Sequence, residues 1–235
     1  MAKKRRKTKR DQPVFEPVPR TRVELKIKAR NDTQKDYIRA IRSHDISFGM
    51  GAAGTGKSYI SSLLAMQALI NEEVDKIVIC RPAVTAGGED LGFLPGDVAA
   101  KMDPYLQPIF DAFKTYWNPN TIKQHLAEGK IEIVPLAYMR GRSFNNSFII
   151  SDEMQNASKD NLLMLLTRLG YGSKMVITGD PIQSDIGNKS CFHVAESILG
   201  EIDEIAFTHF TNADVVRHPT VAKILNHWPD NGMTM

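Results

Sequence analysis

The sequence predicts an α/β fold, a mainly parallel sheet with helices on both faces. Three observations carry this reading. Short apolar segments alternate with stretches of helical periodicity. Several of the apolar segments lack a polar face, as strands covered on both sides require. The first strand also runs directly into a glycine-rich string and then a helix: Gly51-Ala52-Ala53-Gly54-Thr55-Gly56-Lys57-Ser58 fills every fixed position of G-x-x-x-x-G-K-[ST].

The elements follow in chain order. Residues 1–20 are rich in Lys and Arg and then broken by Pro13, Pro17 and Pro19. Such a composition is expected to be a disordered or extended tail. Residues 21–235 are expected to form a single domain. Within it, 46–50 reads as a buried strand and 59–71 as a helix, with Ile60, Leu63, Leu64 and Ala68 at helical spacing. A second strand is expected at 76–80. An insertion at about 84–129 contains Gly87-Gly88, Pro95-Gly96, Pro104, Pro108 and Pro119. Its apolar spacing predicts a long loop, then a helix bent or divided near its prolines. Strands at 130–135, 147–151, 174–178 and 204–210 alternate with helices at 159–169 and 190–199. A parallel sheet of this kind binds ligands at the carboxyl ends of its strands.

Composition narrows the function classes. The chain has 235 residues, 42% hydrophobic and 24% charged, as an ordinary globular protein has. No apolar run approaches the ~18 residues a membrane span needs. The basic start is followed by no apolar core of a signal peptide, so a cytoplasmic protein without membrane contact is expected. Cys80 and Cys191 have no metal-ligand spacing. The net charge of +3 hides an asymmetry: seven of the 30 basic residues lie in residues 1–10, leaving 23 against 27 acids, a net of −4. A mildly acidic body therefore follows a basic tail, which either contacts nucleic acid or only keeps the end solvated.

The chemistry gathers at strand ends. Glycines at 51, 54 and 56 let the backbone around Ala52, Ala53 and Thr55 wrap a phosphate, with the helix amides aimed at the anion. Lys57 can reach the β- and γ-phosphates of a nucleotide such as ATP, and Ser58 can hold Mg²⁺. The string Phe148-Ile149-Ile150-Ser151-Asp152-Glu153 is a strand ending in two acids. Asp152 would complete the Mg²⁺ shell, and Glu153 would orient or deprotonate the attacking water; the plain alternative is that both cap a helix near Ser158. Met175-Val176-Ile177-Thr178-Gly179-Asp180-Pro181-Ile182-Gln183 is another strand running into a polar turn. There Gln183 can touch the γ-phosphate or the water, unless Gly-Asp-Pro is an ordinary turn. Arg217, after the last strand, can neutralise charge on the transferred phosphoryl group, in cis or from a neighbouring subunit, or is a solvated surface residue.

With these motifs placed, the chain resembles the PhoH family of ATPases from about residue 31 to residue 227. The resemblance rests on Gly54-Thr55-Gly56-Lys57-Ser58, Arg81-Pro82, Gly88-Glu89-Asp90-Leu91-Gly92-Phe93-Leu94-Pro95-Gly96-Asp97 and Pro104-Tyr105-Leu106-Gln107-Pro108-Ile109. It continues through Met139-Arg140-Gly141-Arg142-Ser143-Phe144, Asp152-Glu153-Met154-Gln155-Asn156, Thr178-Gly179-Asp180 with Gln183, and Val215-Val216-Arg217-His218-Pro219. It implies a RecA-like P-loop core similar to one motor domain of superfamily 1 helicases. Gly179-Asp180-Pro181-Ile182-Gln183 then resembles the helicase G-D-x-x-Q motif, and Gln34 the glutamine that reads the adenine edge. Without the family, Gln34 reads as an exposed residue at a helix start. Arg217 resembles an arginine finger. A lone motor core implies a homo-oligomer, with a hexameric ring as one form. About 30 residues before the core are too few for the nuclease domain that one branch of the family carries.

Two functions compete at this stage. The first is a Mg²⁺-dependent ATP hydrolase coupled to RNA or single-stranded DNA, with Arg81, Arg140 and Arg142 as candidate contacts beside strand-end loops. Arg140 and Arg142 pair with acids or phosphate inside the oligomer if they do not touch nucleic acid. The second is an ATP-dependent regulatory or assembly protein that acts on a protein partner through the 84–129 insertion.

Overall fold

A computed structural model describes residues 22–82, 98–187, 190–216 and 220. Its centre is one six-stranded sheet. The strands are β1 (Ile46–Gly51), β2 (Lys76–Arg81), β3 (Ile131–Pro135), β4 (Ser147–Ser151), β5 (Lys174–Gly179) and β6 (Ile205–Phe210). Their spatial order is β3-β2-β4-β5-β1-β6, and every neighbouring pair is parallel. The sheet is thus wholly parallel, and it has the α/β architecture of a RecA-like P-loop core. One strand, β5, separates β1 from β4. The glycine-rich loop and the two strand-terminal acids therefore face each other across a single strand.

The helices are α1 (Asp32–Ser43), α2 (Lys57–Ile70), α3 (Val98–Lys114), α4 (Pro119–Ala127), α5 (Lys159–Leu166) and α6 (Ala195–Leu199). Alternating residues of the central strands feed two cores. Ile77, Ile79, Phe148, Ile150 and Val176 pack with Tyr37 and Ile41 of α1, Ile60 and Leu63 of α2, and Leu106 and Phe113 of α3. On the opposite face Val78, Ile149, Met175 and Ile177 pack with Leu162 and Leu165 of α5 and with Phe192 and Ala195. Full burial of side chains of this size contributes about 1.5–3 kcal/mol each. The absence of a polar face on β2, β4 and β5 follows from this double cover. Cys80 and Cys191 are both buried free thiols, and burial pushes the Cys80 thiol up to about 12.

The insertion is divided near one of its prolines, as expected, at Pro119 and not at the two earlier ones. α3 runs unbroken through Pro104 and Pro108, and the division comes later, before Pro119. There the Asn118 side chain accepts from the Thr121 amide, and proline occupies the first turn of α4, where it has no amide to lose. Leu106, Ile109, Phe110 and Phe113 hold α3 against the core on the near side of that break. Residues 83–97 lie outside the described residues, as does the whole tail. The element bounds otherwise agree to within a few residues, except that α5 ends at Leu166 and that 190–199 contains a 3-10 turn (Phe192–Val194) before the short α6. Among the described residues no helix is long and apolar enough to cross a membrane.

Candidate functional site

The carboxyl ends of β1, β2, β4 and β5 open onto one side of the sheet. β1 ends at Gly51, whose φ is +127°, and a Cβ there would lie 1.9 Å from the Phe210 carbonyl oxygen on β6. Only glycine meets both conditions. Gly54 and Gly56 also have positive φ, so the loop turns left-handed before α2 begins at Lys57. The start of α2 has no side-chain cap, a lack it shares with the short α6. Asn31, Asn118 and Ser158 cap α1, α4 and α5 with a side-chain oxygen, whereas the N-cap of α2, Gly56, makes no side-chain capping bond. The first-turn amides of α2 are left for an external acceptor, and an anion suits them best.

Lys57 is 8% exposed. Its ammonium donates to the Gly51 carbonyl at 2.6 Å, the Ala52 carbonyl at 2.7 Å and the Thr55 hydroxyl at 3.3 Å, and it lies 5.8 Å from the Phe210 ring centre. Burial pushes its pKa down, against the pull of Asp180, Asp152 and Glu153. A phosphate would offer that ammonium an anionic acceptor in place of neutral ones.

The loop is braced from behind. Gln34 is buried, accepting from the Arg30 amide at 2.8 Å and donating to the Thr55 carbonyl at 2.8 Å. A backbone N–H only donates, so the orientation of the Gln34 amide is fixed by its partners. Gln34 is at a helix start, as its surroundings in sequence suggest, yet it is not exposed, and both ends of its amide are engaged by backbone. On the other side the Val216 amide donates to the Gly54 carbonyl at 2.9 Å. Arg217, the next residue, lies outside the described residues.

The acids complete the opposite wall. Asp152 is 6% exposed, and its Oδ1 accepts from the Ser58 hydroxyl at 2.9 Å and from the Thr178 hydroxyl. Glu153 adopts a left-handed backbone, φ +57°, which a residue with a Cβ takes up at a cost of about 1–2 kcal/mol. Its carboxylate accepts from Gln155 Nε2 at 2.5 Å and lies 3.9 Å from Arg81 Nη2. A cavity of about 290 Å³ between these walls is lined by Lys57, Ser58, Arg81, Asp152, Glu153, Asp180 and Gln183, with Pro108 of α3 at its side. The Ser58 and Asp152 oxygens are the kind of hard donors that suit Mg²⁺, which is usually held by few protein groups beside water and phosphate. Among the described residues no cluster of three or more His, Cys, Asp or Glu offers a fuller metal cage.

The remaining candidates separate. Arg142 donates to Glu132 at 2.6 Å and stacks over Phe144 at 4.5 Å, so it pairs with an acid of its own chain. Arg140 is exposed in the turn after β3. Thr178, Asp180 and Gln155 stand in the strings that carry the family resemblance, but their individual contacts emerge only in the fold. Thr178 carried a signal, a hydroxyl on the strand next to the acidic one. Gln155 showed no sign of its span, because its partner Asp180 is known only once β4 and β5 are paired.

Comparison with known proteins places these residues in context. A family model of PhoH-like proteins matches residues 26–228. A PhoH-like protein of Synechocystis sp. is 49% identical over 201 residues, covering 85% of this chain and 61% of that protein. A PhoH-like protein of Bacillus subtilis is 47% identical over 201 residues, covering 85% and 63%. Protein PhoH of Escherichia coli K12 is 38% identical over 204 residues, covering 85% and 57%. The chain spans about three-fifths of the length of these curated relatives.

Proposed function

Since the chain belongs to the PhoH-like family, we propose that it binds ATP with Mg²⁺ and hydrolyses it, and that single-stranded RNA or DNA governs the turnover. One observation carries this reading: Lys57, Ser58, Asp152, Glu153 and Gln183, distant in sequence, line one cavity at the mouth of an uncapped helix. In this reading the loop 51–58 and the α2 amides hold the phosphates, and Lys57 leaves the loop carbonyls for the β- and γ-oxygens. Ser58 and Asp152 hold Mg²⁺, which when bound offsets charge on the phosphate oxygens. Glu153 orients the attacking water and takes its proton. Gln183 hydrogen-bonds the γ-phosphate or that water. Gln34 contributes by stiffening the loop. Arg217 stabilises the charge that develops on the γ-phosphoryl group, in cis or across a homo-oligomeric ring.

The test is an ATPase assay on a sample of known mass, with and without a panel of single-stranded RNA and DNA. Turnover should stop in EDTA, return with Mg²⁺, and rise with at least one single strand. Nucleic-acid affinity should fall as salt is raised. Turnover indifferent to every strand would remove the nucleic-acid part. Arg217→Ala should lower the rate about 10³–10⁵-fold. Mixing it with Lys57→Ala subunits separates the two modes of the finger: recovered activity means that Arg217 acts across an interface.

A second reading has one observation in its favour. Pro108 places α3 at the wall of the cavity, so nucleotide state can be passed to a protein bound on that helix. A protein partner retained in ATP but not ADP, together with turnover indifferent to nucleic acid, would favour this regulatory role.

A further inference from the structure

We propose that Gln155 is a positioning residue that couples the loop after β5 to the carboxylate of Glu153; this rests on the hydrolytic reading above. Gln155 is 2% exposed and lies in the 3-10 turn Met154–Asn156. Its Oε1 accepts from the Asp180 amide at 3.1 Å, and its Nε2 donates to Glu153 Oε2 at 2.5 Å. The backbone N–H of Asp180 admits only an acceptor, so the amide cannot be turned without losing both bonds. A single side chain therefore spans from the first residue after β5 to the acid beyond β4.

The surroundings make this span stiff. Ser184 donates to the Gln155 carbonyl at 3.0 Å. Asn156 and Asp185 exchange two bonds, at 2.9 Å and 2.8 Å. The loop that carries Gln183 is thus stitched to the turn that carries Gln155. Gly179 leaves the space: a Cβ there would meet Gln155 Oε1 at 2.6 Å and the Phe192 ring at 2.9 Å. Glu153 itself holds a left-handed backbone, and strain of that kind persists where neighbours over-determine it. A shift of Gln183 toward or away from the cavity moves Asp180, and through Gln155 it moves the Glu153 carboxylate. The state of the nucleotide end is in this way linked to the placement of the acid that handles water.

Three variants test the coupling. Gln155→Met keeps the length and loses both bonds. Gln155→Glu keeps the acceptor for Asp180 but replaces the donor to Glu153 with a second carboxylate. Gly179→Ala displaces Gln155 from the β5 side without changing it. Each is compared with the unaltered protein in ATP turnover and in binding of a non-hydrolysable ATP analogue. A misplaced catalytic group can lower a rate by ~10²-fold, and a loss of about that size in kcat with an unchanged analogue Kd is expected for all three. Gln155→Glu turning over at the unaltered rate would overturn the proposal. So would loss of analogue binding in step with kcat, since Gln155 would then be only a structural tie. An unaltered protein without turnover contradicts the hydrolytic reading instead, which keeps the two failures apart.

Discussion

The two walls of the cavity are held by different means. The loop 51–58 is held mostly by backbone. Its shape comes from glycine torsions, its lysine is bonded to its own carbonyls, and its braces, Gln34 and Val216, reach Thr55 and Gly54 through main-chain carbonyl oxygens. The opposite wall, at the ends of β4 and β5, is held by side chains: Thr178 to Asp152, Gln155 to Glu153, and Asn156 to Asp185. A backbone-built wall tolerates most side-chain changes and fails when a glycine or its one lysine is lost. A side-chain-built wall is adjustable, and each of its residues can tune the acids.

Breaking the first wall should give the largest effects. Lys57→Ala removes the one cation placed inside the loop. A loss of at least ~10²–10³ in kcat is expected, the effect of deleting one preorganised electrostatic donor, together with weaker nucleotide binding in an equilibrium assay. Gly51→Ala should remove binding altogether, because the new Cβ collides with the Phe210 carbonyl. It should also lower the melting free energy by more than about 2 kcal/mol, combining left-handed strain with that collision. Normal nucleotide binding by Gly51→Ala would mean that the loop is less dependent on its backbone than its geometry indicates.

Loosening the second wall should give graded effects. Thr178→Val removes the hydroxyl that fixes Asp152 while conserving shape. A hydrogen bond to a charged group is worth ~1.5–3 kcal/mol, so a fall in kcat of at least about tenfold is expected, with the Mg²⁺ requirement shifted to higher concentration. The smallest effect belongs to an arginine outside both walls. Arg142→Ala should cost about 1 kcal/mol in denaturant unfolding, through the Glu132 pair and the Phe144 stack, and leave ATP turnover unchanged. Burial works against the Glu132 carboxyl, and bonds from Lys76 and Arg142 overcome it, so its pKa is held below the ordinary value. The stability from this lowered acid is present above its ordinary pKa and fades as pH falls through the folded one. Arg142→Ala should therefore be closest to the unaltered protein in strong acid.

The same division decides what was legible in the sequence. The backbone wall was read nearly whole, because torsion-setting glycines, lysine and serine are neighbours along the chain, and the doubly covered strands announced a parallel sheet. The strand-terminal acids were legible for the same local reason. Gln155 was not, since its role exists only through Asp180, 25 positions away across paired strands. Gln34 was legible as a helix-start residue but not as a buried brace, because its partner is the Thr55 carbonyl, 21 positions on. The sequence pointed to a division near the prolines but not to which one: α3 continues through Pro104 and Pro108, where the packing of Ile109 and Phe113 outweighs a local preference that favours a break.

Glu153 lines the cavity between the two walls, and its conservative variant is the most direct test. Glu153→Gln keeps the shape of the side chain and removes its basicity. Turnover of ATP and equilibrium binding of a non-hydrolysable analogue are measured side by side on this variant and the unaltered protein. An unchanged Kd and a rate lower by about 10²–10⁴-fold are expected. Equal rates for the two proteins would contradict the role of Glu153 in hydrolysis.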